Sequence, residues 1–119
     1  MSKDFKDVIS DIGTYTAELR KLIPETMSGF AALAKGATQT RVLDEKTKEL
    51  IALALGVASH CDGCLGFHTR TLARLGATRE EIGEALGMAI YMGGGPSLMY
   101  AADALRAFDQ FAAERRAAA

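Results

Sequence analysis

The thiol and imidazole groups of this chain are confined to nine consecutive residues. His60, Cys61, Cys64 and His68 are the only histidines and cysteines among its 119 residues. Thiolates and imidazoles are the side chains that most readily exchange electrons, protons or metal ions near neutral pH. Two thiols separated by two residues, with a histidine four residues after the second, outline a redox centre.

Helical spacing within this segment distinguishes the two cysteines. Cys64 and His68 stand four residues apart, so on a helix they share one face and can exchange a proton. A neighbouring imidazole raises the thiolate fraction of a cysteine, and Cys64 is therefore the predicted attacking thiol. Ser59, with Asp62 three residues later, has the form of a capping box, which places Cys61 near the second position of the helix.

Three kinds of chemistry remain open for the segment. On a regular helix, a Cys61–Cys64 disulfide would need local adjustment, because Cβ atoms at i and i+3 lie about 5–6 Å apart and a relaxed disulfide needs about 3.8 Å. Such a bond is easily reduced, which suits a disulfide that cycles. Zinc binding by His60, Cys61, Cys64 and His68 is the main alternative, although one short helix cannot readily wrap four ligands around an ion. An inert thiol pair is the third.

Glu49 is a further candidate, because it heads an otherwise apolar helical stretch. Its ordinary role would be a first-turn acid that favours the helix dipole. On one continuous helix it would lie about 18 Å from Cys61, out of reach. If the chain turns back near Ser59, Glu49 and His68 lie at about equal heights on facing helices. The carboxylate would then orient the imidazole that serves Cys64.

Apolar residues recur at helical spacing through almost the whole chain, which predicts an all-α fold of about six helices. Prolines, glycines and capping residues predict where those helices begin and end. The predicted boundaries are Pro24 between the first and second helices, Gly36 after the second, Asp44 before the third, Ser59 between the third and fourth, Gly76 after the fourth, a Thr78–Glu81 capping box before the fifth and Pro96 at the start of the sixth.

Two apolar groups bear on packing. The third helix is apolar on every side over residues 50–58, so it must be buried all round, and in so small a chain this favours burial partly against another subunit. Tyr91, Met92, Met99 and Tyr100 flank the glycine-rich break at residues 93–96 and are expected to pack in the core, with the lining of a pocket as the alternative.

Composition narrows the class of protein. With 49% hydrophobic and 24% charged residues, residues 1–119 are expected to form a single globular domain. The net charge of −1 offers no electrostatic attraction for nucleic acid or an anionic membrane surface. The polar N-terminus lacks the apolar core of a secretory signal, so a cytoplasmic protein is expected, in which paired thiols serve catalysis or metal binding.

The order Glu49, Cys61-x-x-Cys64-x-x-x-His68, an amphipathic helix and then Gly-Gly-Gly-Pro at residues 93–96 resembles the AhpD-like alkylhydroperoxidase branch of the carboxymuconolactone decarboxylase family, over about residues 40–110. The resemblance implies an all-helical trimer or hexamer that needs no metal or organic cofactor. It implies that a hydroperoxide oxidises Cys64, that Cys61 resolves the sulfenic acid, that Glu49 and His68 relay protons, and that an external dithiol restores the thiols.

One position departs from that pattern. The best-known members carry a second relay histidine immediately before the second cysteine, where this chain has Gly63. The relay then runs through Glu49, His68 and a water, or His60 substitutes from the other side of Cys61, and weaker peroxidase turnover is expected. The alternatives on the same fold are a redox-sensing or metal-binding oligomer and a decarboxylase-like enzyme, although the decarboxylase branch generally lacks the cysteine pair.

Overall fold

Six α-helices make up nearly all of residues 3–118, the part of the chain that this computed structural model describes. Within that part there is no β-strand, and the prediction of an all-α fold of about six helices is confirmed. The helices are α1 (Phe5–Leu22), α2 (Pro24–Thr38), α3 (Glu45–Ala58), α4 (Asp62–Arg74), α5 (Arg79–Gly93) and α6 (Gly95–Ala118).

Local chemistry sets most of the helix boundaries, as predicted. The predicted end of α2 at Gly36 is wrong, because the helix continues to Thr38 and a single glycine costs a helix only about 1 kcal/mol. The Asp44 side chain accepts a hydrogen bond from the Thr47 N–H at the start of α3. Thr78 and Glu81 form a reciprocal capping box at the start of α5. The glycine-rich break is reduced to a single linking residue, Gly94, whose φ of 72° is one that glycine adopts without strain.

The turn after α3 differs from the prediction. Ser59 does not begin α4 but ends α3, and His60 follows it in a left-handed conformation with φ of 55°. The N–H of His60 donates a hydrogen bond to the carbonyl of Val57, and the N–H of Cys61 donates one to the carbonyl of Gly56. These two bonds satisfy carbonyls at the end of α3 in the manner of a Schellman motif. The predicted capping box at Ser59 is therefore wrong, because the same residues are used to end the preceding helix.

The core lies where α3, α4, α5 and α6 pack together, with α1 lying across α4. Apolar side chains from each of these five helices are buried there. They include Phe5 and Ile9 of α1, Leu53 and Val57 of α3, Leu65 and Leu72 of α4, Ile82 and Leu86 of α5, and Phe108 and Phe111 of α6. By contrast, α2 contacts only α1 and α3 and has no buried residue.

Some side chains that were expected in the core lie on the surface. Tyr91, Met92 and Met99 are 79%, 77% and 63% exposed, so the expectation of core packing is wrong for these three. On α3, Ile51 and Leu55 also remain exposed, so the single chain does not bury this helix all round. Of the described helices, none has the length and apolar character needed to cross a membrane.

Candidate functional site

Cys61 and Cys64 form a disulfide at the start of α4. Their Cα atoms are 5.2 Å apart, within the usual range of about 4.4–6.8 Å for disulfides. This spacing is available because Cys61 is the N-cap of α4, with extended backbone, and does not lie within the helix. The expectation that the bond must distort a regular helix is therefore wrong.

The sulfur of Cys61 takes the place of a capping oxygen. Its Sγ accepts a hydrogen bond from the backbone N–H of Cys64 at 3.1 Å. The first turn of a helix presents unsatisfied N–H groups and the positive end of the helix dipole, both of which favour an anion. Once the disulfide is reduced, this position favours a thiolate on Cys61.

Helix α3 passes very close to Cys64 at Gly56. A Cβ atom built on Gly56 would lie 2.8 Å from the Cβ of Cys64, a separation that real side chains do not adopt. Only glycine therefore lets the two helices approach at this point. Sequence reasoning did not single out Gly56, although a lone glycine within an apolar helix is a signal of close backbone approach.

Glu49 and His68 meet across the α3–α4 hairpin. Glu49 Oε2 lies 2.6 Å from His68 Nδ1, so the predicted approach of the two side chains is confirmed. Glu49 is only 5% exposed, and a buried carboxylate requires a polar partner. When Nδ1 of a neutral imidazole carries the hydrogen and donates a hydrogen bond to Glu49 Oε2, Nε2 is left free to accept a proton.

Cys64 and His68 are therefore held by the same two helices. They lie one turn apart on one face of α4, and α3 contacts that face at Gly56 and Glu49. A basic imidazole nitrogen near a thiol can withdraw the thiol proton and later return it. The arrangement can thus activate a sulfur nucleophile and protonate a leaving group.

Position 63, between the cysteines, is covered by the first helix. A Cβ on Gly63 would lie 2.8 Å from Ile12 Cδ1, and one on Gly66 would collide with Ile9 Cγ2. Ile9 and Ile12 lie about one turn apart on α1, which uses this face to pack against α4. A side chain at position 63 would have to displace Ile12.

The remaining candidate, His60, lies outside the Glu49–His68 contact. Its exposed ring stacks on Tyr100 with centroids 4.7 Å apart and an interplanar angle of 10°. Within residues 3–118, no three His, Cys, Asp or Glu side chains are grouped so that they could hold a metal ion. The four residues considered as zinc ligands are not brought together as a ligand set.

A charged contact that sequence reasoning missed joins Lys3, which precedes α1, to the start of α4 and to α6. Lys3 Nζ lies 3.1 Å from Asp62 Oδ2 and 3.0 Å from Asp103 Oδ2 on α6. Hydrogen bonds to Asp103 and then to Asp62 raise the pKa of Lys3 above its ordinary value. Asp62 lies 59 residues from Lys3 and Asp103 lies 100 residues away, so no local pattern indicates the contact.

Known proteins share both the sequence and the fold. An uncharacterized protein of Cupriavidus necator is 44% identical over 92% of this chain and 96% of its own length. The crystal structure of a carboxymuconolactone decarboxylase family protein from Legionella pneumophila is 60% identical, with a TM-score of 0.89 over 91% of this chain and 96% of that chain. A Thermotoga maritima protein of the same family, for which an antioxidative role has been suggested, has a TM-score of 0.79 at 25% identity, over 91% of this chain and 95% of its own.

The family model agrees with these relatives. The model described as the carboxymuconolactone decarboxylase family matches residues 24–107, which include the disulfide and the Glu49–His68 pair. This match extends over most of the 119 residues, and the likeness to the Legionella structure extends over nearly all of both chains. The chain belongs to the carboxymuconolactone decarboxylase family.

Proposed function

We propose that this protein is a thiol-dependent hydroperoxidase or disulfide reductase, in which Cys61 and Cys64 cycle between dithiol and disulfide. The observation that carries the proposal is the disulfide one helical turn from a histidine that a buried carboxylate holds by hydrogen bonding. The antioxidative role suggested for the Thermotoga protein is in keeping with it.

In the oxidative half of the cycle, Cys64 is the attacking thiol. His68 removes its proton, and the thiolate attacks one oxygen of the hydroperoxide. An S–O bond forms as the O–O bond breaks, and the leaving alkoxide takes a proton from His68 to depart as an alcohol. Cys64 becomes a sulfenic acid, oxidised by two electrons. Glu49 holds the imidazole in the tautomer that this proton transfer requires.

In the reductive half, Cys61 resolves the sulfenic acid. Its thiolate attacks the Cys64 sulfur, the S–S bond forms, and the sulfenic oxygen leaves as water after protonation. An external dithiol then reduces the disulfide through a mixed disulfide, and is itself oxidised to a disulfide. The N-cap position of Cys61 favours its thiolate form, which is the form that attacks. The predicted cytoplasmic location accords with this cycle, because that compartment keeps thiols reduced.

The direct test is hydroperoxide consumption with dithiothreitol as the dithiol. Cys64→Ser should lower the rate by at least about a hundredfold, since it removes the nucleophile. Without a reductant present, Cys61→Ser should stop at one sulfenic acid per chain, because the resolving thiol is absent, and a dimedone adduct detected by mass spectrometry would report it. Full activity in the Cys64→Ser protein would overturn the assignment of the attacking thiol.

The relay is tested with two neighbouring acids of α3. Glu49→Gln keeps the shape of the side chain but removes the charge that supports His68, and should lower kcat by about tenfold to a hundredfold, within the range of general acid–base effects. Glu45→Gln is the matched control, because Glu45 lies one turn earlier and contacts Arg74 at 3.7 Å. Equal rates in both variants would show that Glu49 does not assist the reaction.

We also propose that the protein forms a homotrimer or homohexamer. The outward faces of α3, α5 and the start of α6 expose large apolar side chains, of the types that are enriched at subunit interfaces. They are Ile51, Leu55, Met88, Tyr91, Met92, Leu98 and Met99. A second copy of the chain fits such a surface, since symmetric self-association is the commonest way to cover it.

Light scattering of the purified protein tests the assembly. Leu55→Glu places a charge in the exposed apolar surface and should release monomers that keep their helical circular dichroism. Val42→Glu is the control, because Val42 is fully exposed in the loop before α3 and lies outside that surface. A wild-type protein that is monomeric at micromolar concentration would contradict the proposal.

A further inference from the structure

Asp62 carries a negative charge at the first position of α4, between Cys61 and Cys64 in the sequence. It is the first residue of α4, next to Cys61 in the chain. Its Oδ2 contacts Lys3 Nζ at 3.1 Å, whereas its Oδ1 is buried and has no hydrogen-bond partner within residues 3–118. A carboxylate beside a sulfur disfavours the thiolate form of that sulfur, because the two negative charges repel. Asp62 left alone would therefore favour the disulfide over the dithiol.

Lys3 is held in place to offset this charge. Its Nζ contacts Asp103 on α6 at 3.0 Å as well as Asp62. Its backbone carbonyl accepts a hydrogen bond of 2.7 Å from Gln110 Nε2, and Gln110 Oε1 accepts one of 2.8 Å from the Phe5 N–H. The residues around Lys3 are thus anchored on α6, so the lysine does not depend on Asp62 alone for its position.

We propose that Lys3 is a positioning residue that sets the thiol–disulfide equilibrium of Cys61 and Cys64, by neutralising the carboxylate of Asp62, the residue that follows Cys61 at the start of α4. This inference rests on the proposed function, in which the pair cycles. Reduction breaks the S–S bond with two electrons and two protons supplied by an external dithiol, which becomes a disulfide. Above the pKa of the thiol, Cys61 remains as a thiolate at the N-cap of α4, and this is the charge that Asp62 repels.

The test is the equilibrium of the full-length protein with mixtures of reduced and oxidised dithiothreitol, at about pH 8.5, near the ordinary pKa of a thiol. Lys3→Gln leaves Asp62 uncompensated and should shift the equilibrium constant about threefold to tenfold toward the disulfide, where tenfold equals about 30 mV. Asp62→Asn should shift it the opposite way. The double variant should lie close to the wild type, because neither charge remains.

Two further variants separate charge from structure. Lys6→Gln removes a lysine from the same end of α1, where it contacts Glu114 at 3.8 Å, and should leave the equilibrium unchanged. Lys3→Arg keeps the charge and should restore the wild-type value. Thermal unfolding of the oxidised proteins identifies any variant that perturbs the fold. If the Lys3 variants do so, the change in the equilibrium constant caused by Asp62→Asn still tests the inference, because Lys3 is unaltered in that variant.

The outcomes distinguish this inference from the function on which it rests. If the wild-type protein shows no reversible two-electron transition with dithiothreitol, the proposed function is wrong. If the wild type shows the transition but its equilibrium constant is unchanged in Lys3→Gln and Asp62→Asn, Lys3 does not set the thiol–disulfide equilibrium of the two cysteines. A shift of equal size in Lys6→Gln would also overturn the inference, because the effect would then be one of overall charge.

Discussion

The α3–α4 hairpin and helix α2 represent opposite ways of using an apolar helix. In the hairpin, Leu53 and Leu72 are fully buried, and Gly56 lets the two helices touch. In α2, Phe30 and Leu33 are each 65% exposed, and no residue is buried. The apolar side chains of the hairpin are thus buried within the single chain, whereas those of α2 are not.

The difference shows which part of the molecule buries its apolar side chains without contacts from another chain. The redox residues are positioned by contacts among α1, α3, α4 and α6, all made inside the chain. Helix α2 instead presents an apolar surface next to that scaffold, with few contacts to hold it. Chemistry at the disulfide should therefore tolerate changes in α2 better than changes in the hairpin.

The largest expected contrast comes from truncating one leucine in each region. Leu53→Ala should lower the free energy of unfolding by about 2–5 kcal/mol, because it leaves a cavity in the core. Leu33→Ala should change it by less than about 0.5 kcal/mol, because the side chain is exposed. Denaturant unfolding at two protein concentrations measures both values. A large, concentration-dependent loss for Leu33→Ala would show that α2 packs against a second copy.

A glycine in each region gives an effect of opposite sign. Gly56→Ala should destabilise by about 1–3 kcal/mol, because its Cβ would meet that of Cys64 and force α3 and α4 apart. Gly29→Ala in α2 should stabilise by about 0.5–1 kcal/mol, since nothing lies within 4 Å of its new Cβ and alanine favours helix. Thermal unfolding would compare the two. Stabilisation by both substitutions would contradict the close approach at Gly56.

The smallest contrast concerns the turn that reverses the chain. His60→Gly and His60→Ala both lose the stacking on Tyr100, but only glycine adopts the left-handed backbone without strain. The alanine variant should therefore be less stable by about 1 kcal/mol, with peroxidase rates equal in the two variants. A rate that falls tenfold or more in both, at normal stability, would instead give His60 a role in the chemistry.

Helix boundaries were the most predictable part of the fold. The capping side chains of Asp44 and Thr78 accept hydrogen bonds from N–H groups three residues away, so the sequence alone indicates them. The Ser59–Asp62 pattern has the same form and fails, because the end of α3 uses the same backbone groups. The same residues can end one helix or begin the next, and the local sequence pattern does not reveal which of the two occurs.

The candidate site was predictable in its members and only partly in its geometry. Cys64 and His68 share a face of α4 because four residues separate them, which needs only helical periodicity. Glu49 can contact His68 only if the chain reverses direction between α3 and α4. The chain does reverse after Ser59, and the two side chains meet. The catalytic roles of these residues stay predictions until the variants are measured.

The sequence by itself determined the helical class, the positions of most helix ends, and the concentration of redox-capable side chains in one short segment. These features depend on periodicity and on contacts between near neighbours. Only the tertiary structure decided that Cys61 caps α4, that α1 covers Gly63, and that Lys3 lies between Asp62 and Asp103. Such contacts join residues far apart in the chain, and they form only when whole helices pack and bring their side chains together.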